Sequence, residues 1–281
     1  MAPIRELHYR IGGAVTGLFP GAHRSRSGDA GFEFRGLAAL HDAPDARRLD
    51  LHASLRDPFG GWIVRRSSER RSIPVALVAD LSASMDFDGP VRKLDVLADL
   101  TASLAWSAGR NGDSFGFVGC DERIRSELSV PQTRRRGAGL ALASRLRAWR
   151  PLGRSARALH DAHRHLPRQR ALVFLVSDFH LPLADVAQVL ASLAAHQVVP
   201  VVLWQPAEFA LSANHGLARV QEPESGEQRW LWWRPALRER WLAQHEERRD
   251  ALMRIFRARR LAPLWMPGAF DADAVTRHFL A

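Results

Sequence analysis

Two stretches of the chain are apolar almost without interruption, and each closes on an aspartate. Ile73 opens the run Ile-Pro-Val-Ala-Leu-Val-Ala-Asp80, and Ala171 opens Ala-Leu-Val-Phe-Leu-Val-Ser-Asp178. Short apolar runs of this kind mark parallel strands buried on both faces. Val198 to Trp204 is another such run, Ser114 to Val118 reads as a strand, and Ile124 to Leu128 as a further one. Between them the period lengthens. Lys93 to Ala108 places Leu94, Leu97, Ala98, Thr101, Leu104 and Ala105 on one stripe of a helix that Gly109 to Gly112 ends. Gly137 to Trp149 and Ala156 to Leu166 read as two helices split by Pro151-Leu152-Gly153, and Leu183 to His196 as another. Strands alternating with helices over residues 73–205 predict a doubly wound, mostly parallel α/β sheet. Right-handed crossovers then bring Asp80 and Asp178 to one edge of it.

The flanks have a different texture. Residues 1–72 are punctuated by Gly12-Gly13, Pro20-Gly21, Asp57-Pro58 and Gly60-Gly61, which predicts an N-terminal segment of loops and short strands. Residues 206–281 predict a hairpin (Leu217 to Glu222 and Arg229 to Trp233, turning at Ser225-Gly226) and a long basic helix from Pro235 to Arg260. A short strand from Leu261 to Trp265 and a helix from Asp271 to Leu280 follow. Pro235 suits a first helical turn. The expected organisation is therefore 1–72, 73–205 and 206–281.

Composition adjusts this picture in three places. The net charge of +10 raises nucleic-acid binding, since basic side chains neutralise phosphates. Yet Lys93 is the only lysine among 40 basic residues, and the 39 arginines are scattered over every segment, a bias that a GC-rich genome produces without selection for a ligand. No nucleic acid is expected as a partner. Cys120 is the only cysteine, which excludes an intrachain disulfide and fits a reducing compartment. No apolar run approaches the ~20 residues of a spanning helix, and Met1 to Gly13 lacks the apolar core of a secretory leader. The expectation is a cytoplasmic protein without a membrane span.

The candidate chemistry lies at the two strand ends, because ligands of open parallel sheets bind beyond the carboxyl ends of the strands where strand order reverses. In Asp80-Leu-Ser82-Ala-Ser84-Met85, alternation turns Asp80, Ser82 and Ser84 toward one point while Leu81 and Met85 pack inward. Asp178 joins from the second strand. Carboxylate and hydroxyl oxygens suit Mg2+ or Mn2+, and few protein ligands leave positions for water or for a carboxylate from another molecule. The plainer use of Asp-x-Ser-x-Ser is a strand end that caps the next helix.

These residues resemble the metal-ion-dependent adhesion site of the von Willebrand factor A (vWA) superfamily. Within it the chain resembles the bacterial family of domain of unknown function 58. Further elements carry the likeness: Gly28 to Phe34, Asp45-Ala-Arg47-Arg-Leu-Asp50, Ala53 to Arg56 through Val64-Arg65, and Pro206-Ala-Glu208 through Glu224-Ser-Gly226. It departs from the family at Leu51, where a tryptophan is usual, and at Ala43-Pro44, where Gly-Asp is common. The superfamily's metal-site threonine has Ser155 as its nearest counterpart, beside Arg154. The resemblance implies a metal set of Asp80, Ser82, Ser84, Ser155 and Asp178 and a noncatalytic protein-binding role. It also implies a MoxR-type AAA+ ATPase as partner, with a client protein, in assembling or maturing other complexes. The chain lacks a phosphate loop of its own.

Two other function classes are open. A metal-assisted hydrolase or phosphatase would use Asp80 as nucleophile, although Ser82 stands where a second aspartate is wanted and no Gly-x-Ser-x-Gly elbow occurs. An Arg-rich nucleic-acid binder would use the Trp-rich hairpin for stacking. His160, His163 and His165 have no zinc-like spacing and read as surface residues, while His180 could screen the metal. Arg229 to Arg234 (Arg-Trp-Leu-Trp-Trp-Arg) and the helix after it are either an interface or ordinary packing, and tryptophans left exposed by folding would favour the interface.

Overall fold

The structure, a computed structural model, describes residues 4–12, 20–24, 33–68, 70–87, 89–151, 153–208, 216–221 and 228–280. Most of the Gly28 to Phe34 element and the Ser225-Gly226 turn lie outside the described residues. The chain divides into two compact units, Ile11–Ile73 and Met1–Arg10 with Pro74–Ala281.

The smaller unit holds β1 (Pro20–Arg24), β2 (Glu33–Ala39), α1 (Leu51–Ser54), β3 (Ile63–Ser68) and β4 (Arg70–Arg71). β1 pairs with β4 and β2 with β3, both antiparallel. Asp50 organises the turn between β2 and β3. Its carboxylate accepts from Ala53 N at 3.0 Å, capping α1, and from Arg65 Nε at 2.7 Å.

The larger unit contains, in chain order, β5 (Pro74–Asp80), α2 (Lys93–Asn111), β6 (Ser114–Cys120), β7 (Val130–Thr133), α3 (Arg136–Ala148), β8 (Leu172–Ser177), α4 (Leu183–Ser192) and β9 (Gln197–Val202). β10 (Gly216–Gln221), β11 (Gln228–Trp233), α5 (Pro235–Ala258), β12 (Leu264–Trp265) and α6 (Ala272–Leu280) complete it. Six strands form one sheet in the order β12-β9-β8-β5-β6-β7. Every neighbouring pair is parallel except β6 with β7. The doubly wound, mostly parallel sheet expected from the apolar runs is thus the observed fold.

The runs behave as their composition requires. All seven residues of β5 and all six of β8 are buried, and each fully buried Val or Leu side chain contributes roughly 1.5–3 kcal/mol of transfer free energy. Leu94, Leu97, Leu100 and Leu104 of α2 are likewise buried. A second cluster joins Val186, Val189 and Leu190 of α4 with Leu252 and Phe256 of α5 and with Val173 and Leu175 of β8. Gly112 ends α2 in the left-handed conformation (φ 74°) that favours glycine.

Three elements differ from expectation. The third strand is not Ile124 to Leu128: Ile124 makes an isolated bridge to Cys120, Ser126–Leu128 is a 3-10 turn, and the strand is β7. Pro131 masks β7 in the sequence, and it is tolerated there because β7 is the sheet's edge strand. The segment Ala156 to Leu166 folds as a 3-10 helix over Arg157–His165. It buries Ala158, Leu159 and Ala162, and Ala156 just before it, Leu159 and Ala162 fall three residues apart, the period of that tighter helix. The strand expected at Leu261 is shorter, Leu264–Trp265, and adds to the open edge of β9.

Candidate functional site

Asp80 is the last residue of β5, and Asp178 immediately follows β8. These strands are parallel neighbours with Ala79 opposite Val176, so both aspartates emerge at one edge. From this central pair the chain proceeds outward in opposite directions, to β6 on one side and β9 on the other. The two aspartates therefore sit at the topological switch point, where the loops diverge and leave a crevice.

The Asp80 carboxylate is 1% exposed and is bound by hydroxyls and amides alone. Its Oδ1 accepts from Ser82 N at 2.9 Å and Ser82 Oγ at 2.6 Å, and its Oδ2 accepts from Ser177 Oγ at 2.7 Å. Ser82 Oγ and Ser84 Oγ are 3.1 Å apart. Among the described residues no cationic side chain pairs with Asp80. Burial, then the nearby charge of Asp178, pushes its carboxyl up from 3.8 to about 6, against the hydrogen bonds from Ser82 and Ser177.

Asp178, also 1% exposed, is treated differently. Its Oδ2 accepts from Lys93 Nζ at 3.0 Å and its Oδ1 from His180 N at 3.3 Å. Burial drives this carboxyl upward, yet Lys93, His180 and the Ser84 hydroxyl outweigh it together and hold the group below its ordinary value. Lys93 is raised for the complementary reason: burial pulls it down, and Asp178 with Glu208 more than compensates. Its ammonium reaches Glu208 Oε2 at 2.9 Å and the Ser84 carbonyl at 3.3 Å. His180 Nε2 lies 3.5 Å from the same Glu208 oxygen and stacks on Trp204 at 5.8 Å.

Of the five residues read from the sequence, Asp80, Ser82 and Ser84 form one hydrogen-bonded group, and the Ser84 hydroxyl links it to Asp178. Ser155 lies half-buried on the loop after α3. That loop is held against the first one by Gly153, whose carbonyl accepts from Ala83 N at 2.8 Å. A Cβ on Gly153 would come within 2.5 Å of the Asp121 carboxylate, so only glycine fits this approach. Among the described residues Ser155 makes no recorded hydrogen bond to the other four. Sequence reasoning missed Lys93, Ser177 and Glu208 as members of the site. A signal for Lys93 was available: a chain that writes 39 of its 40 basic residues as arginine keeps one lysine.

The histidines at 160, 163 and 165 lie on the 3-10 helix with His163 and His165 exposed. Among the described residues no group of three or more His, Cys, Asp or Glu side chains is arranged to hold a metal. The donors at the sheet edge are mostly hydroxyls, and oxygens of this kind suit a hard divalent cation such as Mg2+ or Mn2+. A buried, anionic Asp80 ringed by hydroxyls and lacking a cationic partner fits such an ion. In the C-terminal hairpin Trp230 and Trp232 stay 63% and 60% exposed, which favours the interface reading of that ribbon over packing.

The sheet order and the two acidic strand ends define the chain as a vWA-like α/β protein. The family described as "Protein of unknown function DUF58" matches residues 42–251, and the chain belongs to it. An uncharacterized protein in the moxR 3′ region of Paracoccus denitrificans is 36% identical over 103 residues, 35% of this chain and 94% of that one. An uncharacterized protein of Mycobacterium tuberculosis is 24% identical over 241 residues, covering 85% of this chain and 75% of that one. Among solved structures, the conserved hypothetical protein BatB from Bacteroides thetaiotaomicron superposes with a TM-score of 0.49. It is 13% identical and covers 74% of this chain and 96% of its own. No helix among the described residues is long and apolar enough to cross a membrane.

Proposed function

We propose that the chain is a noncatalytic, divalent-cation-dependent protein-binding module whose partner is a MoxR-type AAA+ ATPase, the pair acting in assembly or maturation of other protein complexes. The observation that carries this reading is the buried Asp80, joined by hydrogen bonds to Ser82 and Ser84 at the switch point and lacking a cationic partner among the described residues. Asp80, Ser82 and Ser84 would hold the ion directly, Ser155 would be a further oxygen source, and Asp178, paired with Lys93, would add negative charge beside the ion. When bound, Mg2+ or Mn2+ supplies a positive charge with replaceable water, to which an Asp or Glu of a partner can attach.

The chain's own residues favour docking over catalysis. Ser82 stands two positions after Asp80, where a phosphatase using Asp80 as nucleophile would want a second aspartate. The relative in the moxR 3′ region supports the choice of ATPase.

The test is a pulldown of the MoxR-type ATPase from the native host with the full chain as bait. Capture is expected with Mg2+ and is expected to disappear in chelator and in Asp80→Ala. Capture that persists in chelator contradicts metal-dependent docking, and phosphate-ester hydrolysis lost in Asp80→Asn would favour the hydrolase instead.

A further inference from the structure

The chain's lone lysine stands where a cation is electrostatically unwelcome. Lys93 is the first residue of α2, at the positive end of the helix dipole, and is 1% exposed. A charged group in that position persists only with local compensation. The compensation is complete: the three N–H donors of an ammonium meet three acceptors, Asp178 Oδ2, Glu208 Oε2 and the Ser84 carbonyl. A guanidinium would bring five donors in a planar fork, which this trio of oxygens would leave partly unsatisfied. The retention of one lysine in an arginine-only chain thereby acquires a local cause.

The bonds of Lys93 divide the acidic groups of the site into two sets. Asp178 and Glu208 are answered by the ammonium, while Asp80 accepts from Ser82 and Ser177 and has no cationic partner among the described residues. The carbonyl of Ser84 ties the same ammonium to the loop that follows Asp80.

We propose that Lys93 sets the strength and openness of the cation site: it is a tethered counter-ion that keeps Asp178 and Glu208 out of the metal's shell. The divalent ion is then held by Asp80, Ser82 and Ser84 and retains positions for a partner's carboxylate. This rests on the metal-docking reading of those three residues. Lys93 is a specificity-determining residue, because without it two buried carboxylates would turn to the ion, tighten its binding and fill the positions a partner needs. A lysine with a purely structural role would change stability and leave metal affinity where it was.

The experiment is calorimetric titration of the full chain with Mn2+, comparing wild type, Lys93→Met, Glu208→Gln and Asp80→Ala. Lys93→Met is expected to bind Mn2+ about tenfold more tightly or better, since two charges are released toward the ion. Glu208→Gln is expected to bind several-fold more weakly, because the ammonium keeps more of its charge. A folded Lys93→Met with unchanged or weaker Mn2+ affinity overturns the inference. Should that variant fail to melt cooperatively, Glu208→Gln decides, and unchanged or tighter binding there overturns it. Wild type that binds Mn2+ and loses it in Asp80→Ala, with Lys93→Met unchanged, sinks this inference alone. Wild type that binds no Mn2+ sinks the docking reading and the inference together.

Discussion

Asp80 carries its charge at a disadvantage in the folded chain. A carboxyl raised from 3.8 to about 6 ionises more readily unfolded than folded, so folding loses stability as pH rises from near 3.8 through about 6, and the loss persists above that. In chelator at pH 8, Asp80→Asn is therefore expected to melt higher than wild type, by on the order of 1–3 kcal/mol, with the difference closing toward pH 4. Adding Mg2+ should raise the melting temperature of wild type and leave the variant unmoved. A variant that melts lower than wild type at pH 8 would show that the hydrogen bonds from Ser82 and Ser177 outweigh the burial of charge. Phe179, next to Asp178, is held against its own preference in another way. Its φ of 52° is left-handed, a conformation that costs a residue of this size on the order of 1 kcal/mol or more. The ring packs edge-on against Phe256 at 5.5 Å, and Arg248 Nη2 donates to the Phe179 carbonyl at 2.6 Å, so α5 fixes the turn that aims Asp178.

Among elements, the loop after α3 depends most visibly on a single residue. In Gly153→Ala the new methyl meets the buried Asp121 carboxylate, which Arg125 already holds at 2.5 Å. The loop must then shift away from Ala83, at an expected cost of about 1–3 kcal/mol. Because that loop carries Ser155, the same variant should weaken Mg2+ binding. Chemical denaturation and metal titration check the two effects separately, and a variant as stable as wild type would show that the loop yields freely. Legibility in the sequence follows the range of the interactions. β5 and β8 were readable because burial on both faces writes an unbroken apolar run, Asp80 and Asp178 because they close those runs, and Ser82 and Ser84 because they alternate in the loop after Asp80. β7 was not, since an edge strand can carry Pro131. Glu208 was not either: it meets Lys93 across 115 positions of sequence, and no local pattern encodes such a contact. Ser177 was hidden by its own strand, where a small hydroxyl looks like filler until Asp80 is found beside it.

At the scale of the whole molecule, the basic residues behind the charge of +10 are spread along the entire sequence. Several arginines are internal props. Arg92 binds Asp86 and the Arg147 carbonyl, Arg147 binds Asp99, Arg125 binds Asp121, and Arg259 donates to the Ala187 carbonyl. Such residues tie loops and helices together and contribute little to a field that would attract nucleic acid. Burial of the lone lysine has a practical corollary for anyone seeking the partner. Lys93 is enclosed in the folded chain, so a succinimidyl dye should spare it in native buffer and reach it after denaturation. Peptide mass spectrometry would read whether Lys93 carries the dye, and its early modification in native buffer would reveal that its enclosure opens. Cross-linkers that need a lysine side chain will accordingly find none exposed on the folded chain, and chemistry directed at carboxylates or arginine is the better route to whatever docks there.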